Sequence, residues 1–123
     1  MPTIRILGAA LLLAWAGAAT GSADPLGRWI EKPPTPSVRT ESSAALLDGK
    51  VYLVGGFTPK GITDRVDVLD LASGTWSLAA PLPRALHHTT VHAVNGKLYV
   101  IGGFHTGFWT PVDSTYEYDP DAD

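Results

Sequence analysis

The hydrophobic positions of this chain fall in short runs, and one run is written twice. Lys50-Val-Tyr-Leu-Val-Gly-Gly-Phe57 follows the pair Asp48-Gly49, and Lys97-Leu-Tyr-Val-Ile-Gly-Gly-Phe104 follows Asn95-Gly96. The copies lie 47 residues apart, Gly56 to Gly103, and the same interval relates Trp29 to Trp76, Pro34 to Pro81 and Pro36 to Pro83. Asp-Gly and Asn-Gly tolerate positive φ and fit a two-residue hairpin turn, so each copy predicts strand, tight turn, strand. In the first copy those strands are 42–47 and 50–55, followed by a loop at 57–63, a third strand at 65–70, a turn at Ser73-Gly74 and an outer strand at 75–78. In the second they are 86–94, 97–102 and, after a longer loop, 114–118. The strands do not alternate cleanly between apolar and polar residues, as expected when neighbouring sheets cover both faces. A period of this length marks blades or solenoid units.

The repeat resembles the kelch repeat, the four-stranded blade of a β-propeller. The residues that carry the resemblance are Gly55-Gly56 with Tyr52, then Asp70, Gly74-Thr75-Trp76 and Pro81-Leu-Pro-Arg84; in the second unit they are Gly102-Gly103 with Tyr99, and Tyr118-Asp119-Pro120. The double glycine, the tyrosine before it and the tryptophan after it form a specific set covering nearly everything beyond residue 28. The fold class implied is all-β, a propeller fragment of four-stranded antiparallel blades. Blade 1 spans 38–84, and blade 2 spans 85–123 and stops short of the tryptophan expected near 125. Residues 24–37 align with an outer strand and its Pro-rich exit. They are expected to close the ring by completing the last blade, which removes a free sheet edge.

Residues 1–23 read as an export signal. Arg5 supplies the positive start, residues 6–19 are apolar and uncharged, and Gly21-Ser22-Ala23 offers small residues for cleavage before Asp24. A helix over 6–19 rises only about 21 Å, short of the roughly 30 Å core of a bilayer. The expectation is a secreted or periplasmic protein with no stable membrane insertion.

Composition narrows the function classes. With 45% apolar and 17% charged residues and a net charge of −3, the chain lacks the basic footprint of a nucleic-acid binder. The absence of cysteine excludes disulfides and thiolate metal sites, and 13 glycines and 10 prolines suit many short strands and turns. His88 and His92 would stand roughly 13 Å apart on a strand, too far to share one metal ion, so neither a metal site nor a cofactor is expected. His92 is expected to be buried and hydrogen-bonded, and Trp29 and Trp76 to pack between blades.

In the resembled family, ligands bind at one mouth of the ring, built here by residues 57–63, 81–88 and 104–111. The candidate ligand-binding residues are Arg84, His87, His88, His105 and Trp109, beside Phe108. Arginine and imidazole suit hydroxyl-rich or carboxylate-bearing partners, and an exposed indole suits sugar stacking or an interface. Alternatively these side chains only satisfy loop backbone and pack at a blade boundary. The implied function is a binding module for a protein or carbohydrate ligand, its open edges covered by further blades or by self-association. The other reading is a sugar-active enzyme, since galactose oxidases and sialic-acid mutarotases are kelch propellers. The first chemistry needs a cysteine that this chain lacks; the second needs an acid–base pair, for which Glu41, the counterpart of His88, is one candidate partner.

Overall fold

In the computed structural model, residues 26–107 and 110–122 are described. The expected export signal and its cleavage point before Asp24 lie outside them, as do Phe108 and Trp109. Contacts divide the chain into Met1–Ile30 and Glu31–Asp123, and among the described residues every strand lies in the second unit.

Blade 1 is an antiparallel sheet of β1 (Ser43–Leu47), β2 (Lys50–Val54), then, after the short hairpin β3 (Phe57–Thr58) and β4 (Gly61–Ile62), β5 (Val66–Asp70) and β6 (Trp76–Leu78). Its order is β1-β2-β5-β6, and Tyr52 stands opposite Ala45 on one side and Val68 on the other. Blade 2 is the three-stranded sheet β7 (Thr90–Val94), β8 (Lys97–Ile101) and β9 (Thr115–Tyr118), with a 3-10 turn at Pro120–Ala122. The described residues are all-β, as the repeat implies. Both predicted hairpin turns have the left-handed residues they require: φ is 48° and 73° at Asp48 and Gly49, and 51° and 78° at Asn95 and Gly96.

The two blades bury one core between them. Tyr52, Val54, Val66 and Val68 of blade 1 meet Leu98 and Val100 of blade 2, with Leu82 and Leu86 of the connecting segment closing the seam. Tyr52 and Tyr118 touch across it, ring centroids 6.0 Å apart. Leu86 is fully buried, and such a side chain contributes about 1.5–3 kcal/mol by leaving water. Its carbonyl also accepts the Gly56 N–H at 2.8 Å, tying the double glycine of one blade to the entry of the next. A Cβ on Gly56 would lie 2.6 Å from the Thr40 oxygen; at Gly103 it would lie 2.7 Å from the His87 oxygen. The glycines persist at this repeat position because a neighbouring backbone occupies the space a side chain needs.

The outward face of blade 2 is more polar than its counterpart. Where blade 1 presents Ala45, Val66 and Val68 to its neighbour, blade 2 carries His92, Thr115 and Glu117. Lys97 Nζ and Tyr99 Oη donate to Glu117 at 2.5 and 2.6 Å, holding the Glu117 carboxyl below its usual range. His92, expected to be buried, is exposed on this face. The reason is geometric: the equivalent Ala45 is covered by blade 2, and no described residue covers His92.

The expected packing of Trp29 between blades also needs correction. Residues 26–37 form no strand, and Trp29 is fully exposed rather than packed. Trp76 behaves differently: it pairs with Leu69 in β6 and its Nε1 donates to the Pro33 carbonyl at 3.1 Å. The ring-closing role expected of residues 24–37 concerns a last blade, and among the described residues 26–37 pair with no sheet.

Candidate functional site

Hairpin turns put Asp48-Gly49, Ser73-Gly74 and Asn95-Gly96 at one end of the blades, so the connections β2 to β5, β6 to β7 and β8 to β9 gather at the other. That end is where the repeats meet most intimately. The bridge Thr40↔Phe57 in blade 1 recurs as His87↔Phe104 in blade 2, and between them stand His88 and Glu41. The β3–β4 hairpin, expected as plain loop, forms because Gly61 takes φ 116° and Thr58 Oγ1 bonds both the Gly61 carbonyl and the Lys60 N–H.

His87 is fully buried. Its ring lies between Phe57 and Phe104, centroids at 4.2 and 5.5 Å. Nε2 is 3.0 Å from the Thr106 carbonyl oxygen and Nδ1 is 2.6 Å from Nδ1 of His88. His87 thus lies behind His88. His88 Nε2 lies 2.7 Å from Glu41 Oε2, with side chains 31% and 45% exposed, and the His88 N–H donates to the Glu41 carbonyl at 3.0 Å. Of the other expected site residues, Arg84 and His105 are exposed on the connections leading into β7 and out of β8. Among the described residues, no group of three or more His, Cys, Asp or Glu side chains could hold a metal ion.

A second polar cluster escaped the sequence reading. Asp67, within β5, is fully buried and pairs with Arg39 and with Arg65, whose Nη2 is 2.7 Å from Oδ1. Arg39 is buried as well, and its Nη1 also donates to the carbonyls of Leu53, Gly55 and Arg65. Burial pushes Arg39 down from the ordinary guanidinium value, partly offset by Asp67, whereas the hydrogen bond to Asp67 pushes the more exposed Arg65 up. The signal was present: Asp67 is the one charge inside the run Val66-Asp-Val-Leu69, and a buried carboxylate requires a partner. This cluster fixes the β2–β5 end and the approach to β1.

The apolar cleft between Val54, Val66, Leu82, Leu98 and Tyr116 is the seam of the blade core.

Two sheets of this topology, packed face to face and related by one sequence interval, are successive blades of a β-propeller. The Kelch motif matches residues 39–83 and again 85–123, most of the chain, and the protein belongs to the kelch-repeat family. Among curated proteins no relative matches.

Proposed function

We propose that this chain is part of an exported kelch propeller that binds a protein or carbohydrate ligand at the mouth formed by the β2–β5, β6–β7 and β8–β9 connections. The observation that carries the reading is the convergence of both repeats there. Phe57 and Phe104, Glu41 and His88 occupy equivalent positions and meet at one end, while the opposite end has only tight turns. Kelch repeats serve as protein-interaction units, and site-bearing loops on a rigid sheet scaffold are the usual place for binding. Arg84, His88, His105 and Trp109 form the contact set, with His87 behind His88. Export rests on residues 1–23, with cleavage before Asp24 and release to a secreted or periplasmic location. Further blades, or other copies of the chain, cover the β9 edge, and residues 24–37 supply an outer strand to such a sheet.

The test is a protein and glycan array probed with the complete propeller, followed by Trp109→Ala, His88→Ala and Lys97→Ala. Loss of binding in the first two with Lys97→Ala unaffected supports the mouth as the site. Equal, small effects in all three would mean that the rim is inert.

A further inference from the structure

Glu41 and His88 hold the same place in the two repeats, and both have left-handed backbones, with φ 55° and 53°. Non-glycine residues there are uncommon and cluster at working sites. Here the strained positions face each other. They begin an unbroken row of polar atoms: Glu41 Oε2 to His88 Nε2, His88 Nδ1 to His87 Nδ1, and His87 Nε2 to the Thr106 carbonyl oxygen, at 2.7, 2.6 and 3.0 Å.

Each of these three contacts requires one hydrogen between its two heavy atoms. The carbonyl and the carboxylate bring none, and two neutral imidazoles bring one each. Two hydrogens cannot close three links. The Thr106 carbonyl fixes a hydrogen on His87 Nε2, so if both rings are neutral, His88 must donate from Nδ1 and its bare Nε2 then faces a carboxylate. Two acceptors at that distance repel. One more proton resolves the row, whether it is assigned to His88, His87 or Glu41.

We propose that Glu41, His88 and His87 hold one shared proton beyond two neutral imidazoles and a carboxylate, and that this array recognises a neutral, hydroxyl-rich ligand of the carbohydrate type. This rests on the mouth reading for its location and deepens it by naming the ligand class. The proton belongs to the array rather than to one residue. Its solvent-open end is Glu41, whose Oε1 accepts no hydrogen bond from the described residues and is free to accept one from a ligand hydroxyl. The protonated array has no net charge, so a cation meets the imidazolium and an anion meets the carboxylate, while a neutral donor meets neither penalty. The Phe104 ring stands edge-on to His88 at 5.9 Å and gives the apolar wall that a sugar's C–H face requires.

The experiment uses the full chain labelled with nitrogen-15 at histidine, as wild type and as Glu41→Gln, with His92 and His105 as exposed references. A glutamine amide donates its own hydrogen to a neutral His88 Nε2, so that variant closes all three links without the extra proton. At neutral pH the wild type should show one proton beyond two neutral rings and a carboxylate, read as imidazolium across His87 and His88 or, with carbon-13 at glutamate, as a protonated Glu41 carboxyl, and Glu41→Gln should show no imidazolium, with the fold kept. Two neutral rings beside an ionised Glu41 carboxyl in the wild type, or an imidazolium retained in Glu41→Gln, overturns the shared proton. Methyl β-D-glucopyranoside, titrated against lysine and acetate, should shift the His88 signals at a concentration at least tenfold lower than either ion, and Glu41→Ala should abolish the shift. An equal or absent response to the sugar overturns the ligand class. The proton count is read on His87, His88 and Glu41, so a silent Trp109→Ala on the arrays faults the rim reading and leaves the proton count standing.

Discussion

Gly55 and Gly102 are a natural matched pair for testing how the blades meet. They share a repeat position and a backbone conformation, φ 58° and 60°. An alanine at either site carries the left-handed penalty of about 1–2 kcal/mol. Their surroundings differ. A Cβ on Gly55 runs into the carbonyl oxygen of Leu86 at the start of the next blade, the same oxygen that accepts the Gly56 N–H. On Gly102 the nearest atom is the Val112 oxygen at 3.6 Å, an ordinary contact. Overpacking against backbone adds about 1–3 kcal/mol. Gly55→Ala should therefore cost about 2–5 kcal/mol, and Gly102→Ala only the shared backbone term. Urea unfolding followed by tryptophan fluorescence reads both. Equal losses would refute the reasoning, because they would mean that Gly102 is covered in solution as Gly55 is.

Three further outcomes follow from the same geometry. Asp67→Ala strands the buried Arg39 and should cost about 3–5 kcal/mol in denaturant titration, as breaking a buried pair does, whereas Arg65→Ala, at a half-exposed member, should cost under about 1 kcal/mol; a reversed order would show that Arg65 is the structural partner. The Glu117 carboxyl is held low by hydrogen bonds from Lys97 and Tyr99, and that of Asp70 by the Ser73 N–H and hydroxyl, so both stabilise above the ordinary carboxylate range and lose that contribution as pH falls through their lowered folded values; Glu117→Gln should flatten the acid side of a plot of urea midpoint against pH. The purified chain should self-associate on gel filtration, since the β9 edge has no pairing strand among the described residues and Leu46, Val94 and Ile101 are 59%, 48% and 46% exposed; a cooperative monomeric melt at low concentration would contradict this.

The blades were legible because repetition and turn chemistry are local. Asp48-Gly49 and Asn95-Gly96 specify their hairpins without reference to anything distant, and the strands fall within a residue or two of expectation, apart from β7, which starts four residues late because 86–89 are taken up by the junction with blade 1. What depended on tertiary neighbours was less visible. His92 reads as buried by residue type, yet its face is uncovered. His87 and His88 look alike in sequence, but Phe57 and Phe104 enclose one and leave the other beside Glu41. The pairing of Arg39 with Asp67 spans 28 positions, and no local pattern links them beyond the isolated charge in an apolar strand. The polar outward face of blade 2 was readable in principle from Glu117 and Thr115 replacing two valines, once the strands are aligned across the longer loop.

Amide hydrogen exchange at two glycines tests most directly whether these repeats are blades stacked face to face. Gly56 N–H donates to Leu86 of the following blade, while its repeat counterpart, Gly103 N–H, has no acceptor among the described residues. The structure predicts strong protection at Gly56 and fast exchange at Gly103 in the same sample. Fast exchange at both would mean that the blades do not pack through this seam, and equal protection at both would mean that the second blade's outward face is not open.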